Sequence, residues 1–294
     1  MVFLMYNSVD FLRNLIKIKN KKKNQCIYNV DFIYLINLDI RTDRLNRCLQ
    51  QLSIYNIQPH RVPGINGWNL TQDVFNDIAM KITSSMIYDQ LVQYRFVAGG
   101  VQGEPFCPSD EGISCLHALA PAGGMGGCLT HLSIVYDGYL SNYDTIWVLE
   151  DDFTVNGNPH ELSKYINELN RLVGENEWDV LFTDDDDYFT SDNLLANFGR
   201  SSWMKPGVPM NNSFVERTNV GDHFYKIGGR TQAHSYLVSR SGMKKIIDSV
   251  TSQGLFLPYD TELPCIPGIK LYNLKHDLVH GRDRKYSDTW VQRF

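Results

Sequence analysis

Three acidic residues close an apolar run at 145–153, TIWVLEDDF: Ile146, Trp147, Val148 and Leu149 lead directly into Glu150, Asp151 and Asp152. Carboxylates crowded at the end of a buried strand repel one another and are costly without a cation. On an extended segment residues i and i+2 point the same way, so Glu150 and Asp152 are expected to face one divalent ion. Hard oxygen ligands suit Mg²⁺ or Mn²⁺, and such an ion can bridge to a diphosphate. On the tripeptide alone, an acidic cap on an ordinary strand is an equal alternative. A second acidic run, Asp184 to Asp187, follows the apolar stretch WDVLFT (178–183). Four successive aspartates are usually a solvated loop; here they sit at another strand's end, so one of them is expected to face the site. Residues 258–262, PYDTE, read as a further acidic loop. His280 stands beside Arg282, Arg284 and Lys285. A neutral imidazole there could supply a late metal ligand and the cations could hold phosphate, with a solvated tail as the alternative.

The elements that must position these groups follow from periodicity. Residues 31–38, DFIYLINL, read as a buried strand. A helix follows over 42–52, with Thr42 as N-cap and Leu45, Cys48, Leu49 and Leu52 on one face. A strand running into a helix opens a doubly wound sheet, where ligands bind at the carboxyl ends of strands. Asn37, Asp39, Arg41 and Arg44 therefore stand where a nucleotide would sit. No G-x-G-x-x-G is present, so a dinucleotide cofactor is not supported. A strand is expected near 54–62, ahead of a turn-rich loop at 60–67. Residues 97–127 hold eight glycines and three prolines, the composition of a long mobile loop that acts as a lid or is a surface insertion. A helix is expected over 127–139, with His131 near its N-terminal end, where backbone N–H groups favour anions; a lone helical histidine is more often structural. A strand and helix are expected within 228–250, and one or two short strands in 271–281.

The composition sets the wider bounds. The 294 residues are 43% apolar and 21% charged, ordinary globular values that exclude bulk disorder, collagen-like repeats and coiled coil. A net charge of −5 makes a poor non-specific nucleic-acid binder. Six cysteines without a C-x-x-C pair point to reduced thiols in a cytoplasmic compartment. Cys107, Cys115 and His117 lie close in sequence but match no zinc pattern. No apolar run reaches membrane-spanning length, and the N-terminus does not read as a signal peptide. Residues 1–24 form an extension in which Met5, Val9, Leu12 and Ile16 keep helical spacing ahead of Lys17, Lys19, Lys21, Lys22 and Lys23. This suits either a helix packed on the domain, the favoured reading, or peripheral contact of residues 1–23 with the inner face of an anionic membrane. Residues 25–294 form the main domain.

Four segments in order carry a resemblance. INLDIRTDR (36–44) looks like an I-N-L-D-x-R-x-D-R opening, and GGCLTHLSI (126–134) is similar to G-C-x-x-S-H-x with Thr130 in place of Ser. WVLEDDF (147–153) resembles a strand ending in E-D-D, and HSYLVSRSGMKKII (234–247) is like Y-x-x-S-x-x-G-A-x-x-L. Together they resemble the family 25 glycosyltransferases, which include lipopolysaccharide and lipooligosaccharide sugar transferases and collagen galactosyltransferase domains. The resemblance implies an α/β, GT-A-like single domain with a Rossmann-like half that binds a nucleotide sugar. It implies inverting, Mn²⁺-dependent (or Mg²⁺-dependent) transfer of a hexose, often galactose, from a UDP-sugar to a glycan or lipid-linked saccharide. Glu150, Asp151 and Asp152 then carry over as the analogue of the metal-binding D-x-D. Asn37, Arg41, Arg44, Cys128 and His131 carry over as donor-side positions. In such a mechanism the base is a carboxylate outside the metal site: Asp260 first, then Asp184 or Asp187. Two rivals stand beside this reading, a metal-dependent nucleotidyl- or phosphotransferase and a catalytically silent sugar-nucleotide-binding protein. The former lacks a P-loop.

Overall fold

The computed structural model describes residues 8–81, 93–96, 102–106, 114–117, 120–185, 205, 208, 214 and 216–281. In chain order the strands are β1 (Phe32–Asn37), β2 (His60–Pro63), β3 (Met80–Lys81), β4 (Gln93–Phe96), β5 (Gln102–Phe106), β6 (Ser114–Cys115) and β7 (Thr145–Glu150). They continue as β8 (Phe153–Val155), β9 (Val180–Phe182), β10 (Arg217–Val220), β11 (Phe224–Ile227), β12 (Ser235–Ser239), β13 (Leu271–Leu274) and β14 (Val279–Gly281). The helices are α1 (Ser8–Leu12), α2 (Thr42–Ser53), α3 (Gln72–Ile78), α4 (Ala122–Leu140), α5 (Leu162–Val173), α6 (Arg240–Gln253) and α7 (Tyr259–Glu262).

An eight-stranded sheet runs β10-β11-β13-β9-β12-β7-β1-β2. β1 is parallel to β2 and β7, and β13 is parallel to β9. β12 runs antiparallel between β7 and β9, and β10 and β11 extend the far edge antiparallel. β8 and β14 form a two-stranded ribbon outside this sheet. The strands alternate their side chains between two cores, as a period of two requires. Phe32, Tyr34, Ile146, Val148, Val180, Phe182, Tyr236 and Val238 join one core with α3, α4 and α6. Ile33, Leu35, Trp147, Leu149, Leu181 and Leu237 join the other with α2 and α5. Burial on both faces is why these strands read as continuous apolar runs. The molecule is thus an α/β protein with a mixed sheet and helices on both faces.

Several local expectations need correction. α2 starts at Thr42, but Arg41 is the N-cap and makes no capping side-chain bond. Arg44, not Leu49, shares its buried face with Cys48 and Leu52; Leu49 is exposed. The second strand is confined to His60–Pro63. α4 starts at Ala122, so Gly123, Gly124, Gly126 and Gly127 are helical and His131 is mid-helix. The glycine run reads as a loop because glycine weakens helices; here it serves close approach. A Cβ on Gly126 would overlap the carbonyl of Ile65 and the backbone N of Gly67, and one on Gly67 would overlap the Ala122 carbonyl. The rest of the proposed 97–127 loop lies partly outside the described residues, as does Cys107; Cys115 and His117 are buried. Residues 259–262 form the short helix α7 rather than a loop.

The N-terminal segment packs on the domain. Phe11 is fully buried in the core with α3 and α4, and Ile16 N–H donates to Ser133 Oγ at 2.9 Å. Lys21 Nζ lies 2.7 Å from Asp137 and 5.2 Å from the Tyr143 ring centroid. No helix among the described residues is long and apolar enough to cross a membrane.

Candidate functional site

β1 has β2 on one side and β7 on the other, so the chain order reverses between β1 and β7. In open α/β sheets the crevice outside the carboxyl ends of strands at such a point is where ligands bind. Glu150 ends β7 there, and a tight turn at 151–152 precedes β8. β12 is antiparallel to β7 with Ser235 opposite Leu149, which sets His234 beside Glu150, and Glu150 N–H donates to the His234 carbonyl at 2.8 Å. One ligand atom from each of Glu150, Asp152 and His234 lies within 4.8 Å of the others. His234 Nδ1 is 2.8 Å from Asp152 Oδ1 and 3.6 Å from Glu150 Oε2.

The expected pairing of Glu150 and Asp152 is therefore present, although a turn rather than an extended strand brings it about. His280 is not part of the group; the imidazole that joins the acids belongs to His234. β12's register against β7 delivers His234, and sequence offers no signal for that register. Gly281 packs against the other side of His234, where a Cβ would overlap the imidazole ring. His234 Nε2 is buried without a hydrogen-bond partner among the described residues.

Burial disfavours the charged imidazole, but Asp152 and Glu150 outweigh it and hold the His234 pKa well above its ordinary value. Burial also pushes Glu150 up, and its hydrogen bonds to His131 and His234 reverse this, leaving it well below the usual carboxylate range. In this arrangement the imidazolium supplies the positive charge that the clustered acids need. Two carboxylate oxygens and an imidazole nitrogen form a mixed donor set that fits Mn²⁺ and is poorer for Ca²⁺, which prefers oxygen alone. A cation held there would have to displace the imidazole proton.

Asp151 faces away from this group. It accepts from Asn37 Nδ2 at 2.7 Å and Arg44 Nη1 at 3.0 Å. Arg47 and Cys48 both donate to its backbone carbonyl. Burial pushes the Asp151 carboxyl up to about 6, with Asp152 adding and Arg44 and Asn37 opposing. Asn37 Oδ1 in turn accepts from Arg61 Nε at 3.0 Å, and Arg61 also pairs with exposed Asp39. Arg41 forks onto Asp43 at 3.1 Å. The first motif thus mounts the acidic turn: Asn37 and Arg44 hold Asp151 instead of reaching into the crevice.

Cys128 and His131, expected on the donor side, are both buried. Cys128 is fully buried in the core behind the sheet. His131 is buried beneath Glu150, with Nε2 2.9 Å from Glu150 Oε1 and Nδ1 2.7 Å from the Tyr236 hydroxyl.

Of the candidate bases, Asp184 is committed elsewhere. Its two oxygens accept from Arg230 Nη1 and Nη2, each at 3.0 Å, and the buried Arg230 lies 4.3 Å over the Phe182 ring. Asp187 lies outside the described residues, as do Arg282, Arg284 and Lys285. Asp260 is half-buried. Its Oδ2 accepts from Gln232 N–H and its Oδ1 from Thr261 N–H at 2.8 Å. Burial raises its pKa, with Glu150 adding and His234 opposing, so it stands within the electrostatic reach of the acidic group. Gln232, its backbone partner, has a φ of 75°, a left-handed conformation that a non-glycine residue holds only when its surroundings enforce it. No protein-family model and no curated protein matches the chain.

Proposed function

We propose that the chain is a metal-dependent inverting glycosyltransferase with a GT-A-like fold, moving a hexose, galactose first, from a UDP-sugar to a hydroxyl of a glycan or lipid-linked saccharide. The observation that carries this reading is the convergence of Glu150, Asp152 and His234 within 4.8 Å at the crevice between β1 and β7. The ordered resemblance of residues 36–44, 126–134, 147–153 and 234–247 to family 25 glycosyltransferases supports it. A divalent cation held by these three residues would neutralise the charge that builds on a departing diphosphate.

Asp260 is the base in this reading. It is a carboxylate outside the donor set, its raised pKa favours proton uptake, and two backbone N–H groups fix its orientation. The acceptor hydroxyl passes its proton to Asp260 as its oxygen forms a bond to the anomeric carbon. The bond from that carbon to the UDP oxygen breaks on the opposite face, and the electron pair leaves with UDP. A single displacement of this kind inverts the anomeric centre.

The test is a thermal-shift and product assay with UDP-hexoses and Mn²⁺. UDP-galactose with Mn²⁺ is expected to raise the melting temperature by mass action, to release free UDP in the presence of acceptor glycans, and to do neither with EDTA or in Asp152→Ala. Release of pyrophosphate would instead favour a nucleotidyltransferase. Binding without release of UDP over hours would favour a silent binding protein.

A further inference from the structure

Every polar atom of the His131 side chain is engaged. Nδ1 meets the Tyr236 hydroxyl at 2.7 Å and Nε2 meets Glu150 Oε1 at 2.9 Å. The ring lies almost parallel to that of Tyr259, with centroids 4.4 Å and planes 7° apart. The side chain is 4% exposed, so it lies beneath Glu150. A carboxylate oxygen only accepts hydrogen bonds, so Nε2 is the donor to Glu150. His131 therefore occupies Oε1 of Glu150. The other oxygen, Oε2, is the one that faces His234 Nδ1 at 3.6 Å.

We infer that His131 is a positioning residue that fixes Glu150 as a single-oxygen cation ligand and, through Tyr259, ties that ligand to the helix carrying Asp260. This rests on the cation reading proposed above. Tyr259 and Asp260 are adjacent in α7, while Glu150 ends β7. One imidazole thus spans the two halves of the crevice, bonding to the acid on one side and stacking on the ring beside the base on the other. Without the Nε2 donor, Glu150 can rotate to present both oxygens or turn toward His234. Loss of an outer-shell partner of this kind weakens metal binding by about 10–100-fold.

The experiment is a Mn²⁺ titration of the full chain, read from the electron paramagnetic resonance signal of free Mn²⁺. Wild type is compared with His131→Gln and His131→Met, two variants of similar length. The glutamine amide reaches the Nε2 position and can donate to Glu150; the methionine thioether cannot. The methionine variant is expected to bind Mn²⁺ about 10–100-fold more weakly, and the glutamine variant to recover most of that loss. Equal Mn²⁺ affinity in the two variants overturns the assignment of His131. A wild-type protein that binds no Mn²⁺ overturns the cation reading itself, so the two failures are distinguishable. If either histidine variant does not fold, Tyr236→Phe removes the hydroxyl that holds the His131 ring from behind; weakened Mn²⁺ binding supports the positioning role of His131 and unchanged binding counts against it.

Discussion

Arg44 and Arg230 show that buried charge in this molecule is paired within the protein: Arg44 with Asp151 and Arg230 with Asp184. Arg230 and Asp184 form a buried two-pronged pair, and removing one member of such a pair strands the other. Arg230→Met is expected to cost about 3–5 kcal/mol in urea unfolding, whereas the paired removal Arg230→Met with Asp184→Leu should cost much less. His117 carries an independent pH signature, because burial pushes its pKa down to about 4. The unfolded chain then binds the proton first, so this group's contribution to stability is full above about pH 6.5 and is lost as pH falls toward 4. His117→Phe should flatten that part of the wild-type stability curve by roughly 2–3 kcal/mol, measured by denaturant melts at pH 7 and pH 4.5. At this scale the acids at the end of the WVL strand were legible, because unpaired carboxylates after an apolar run demand an explanation. His234 was not: it becomes a neighbour of Glu150 only through a strand pairing some eighty residues away. Asn37 and Arg44 were read as facing a ligand because nothing in sequence reveals that Asp151 turns back toward them.

α4 separates two kinds of helical glycine. Gly126 lies against the backbone of the 65–67 loop, while a Cβ on Gly127 would meet nothing within 4 Å. Gly126→Ala is expected to destabilise by about 1–3 kcal/mol through overpacking. Gly127→Ala should instead stabilise by about 0.5–1 kcal/mol through the lower entropy of the unfolded chain and better helix propensity. Thermal melts of the two single variants decide this, and a loss at both positions would contradict the packing described. The strands β1, β7 and β9 and the helix α6 were legible from apolar runs and periodicity. The start of α4 was hidden because its glycines look like a loop until the facing backbone is known. α7 was hidden because one helical turn leaves too short a pattern.

Both faces of the central strands are covered by helices, and that coverage limits what sequence can reveal about the whole molecule. A strand buried on both sides has the same apolar signature whichever way it runs. The α/β class was therefore readable, but the reversed direction of β12 between β7 and β9 was not. The N-terminal segment belongs to the same body: Phe11→Ala should lower stability by about 3–5 kcal/mol as a buried aromatic truncation, whereas a projecting extension would show almost no change in the same melt. The glycine behind His234 has a consequence for biosynthesis. The acids emerge from the ribosome near residue 150, their imidazole near 234, and the strand that backs it near 281. Asp151 can meet Arg44, and Glu150 can meet His131, as soon as the acids emerge, but Asp152 gains its imidazole partner only once residue 234 and the Gly281 strand behind it are released.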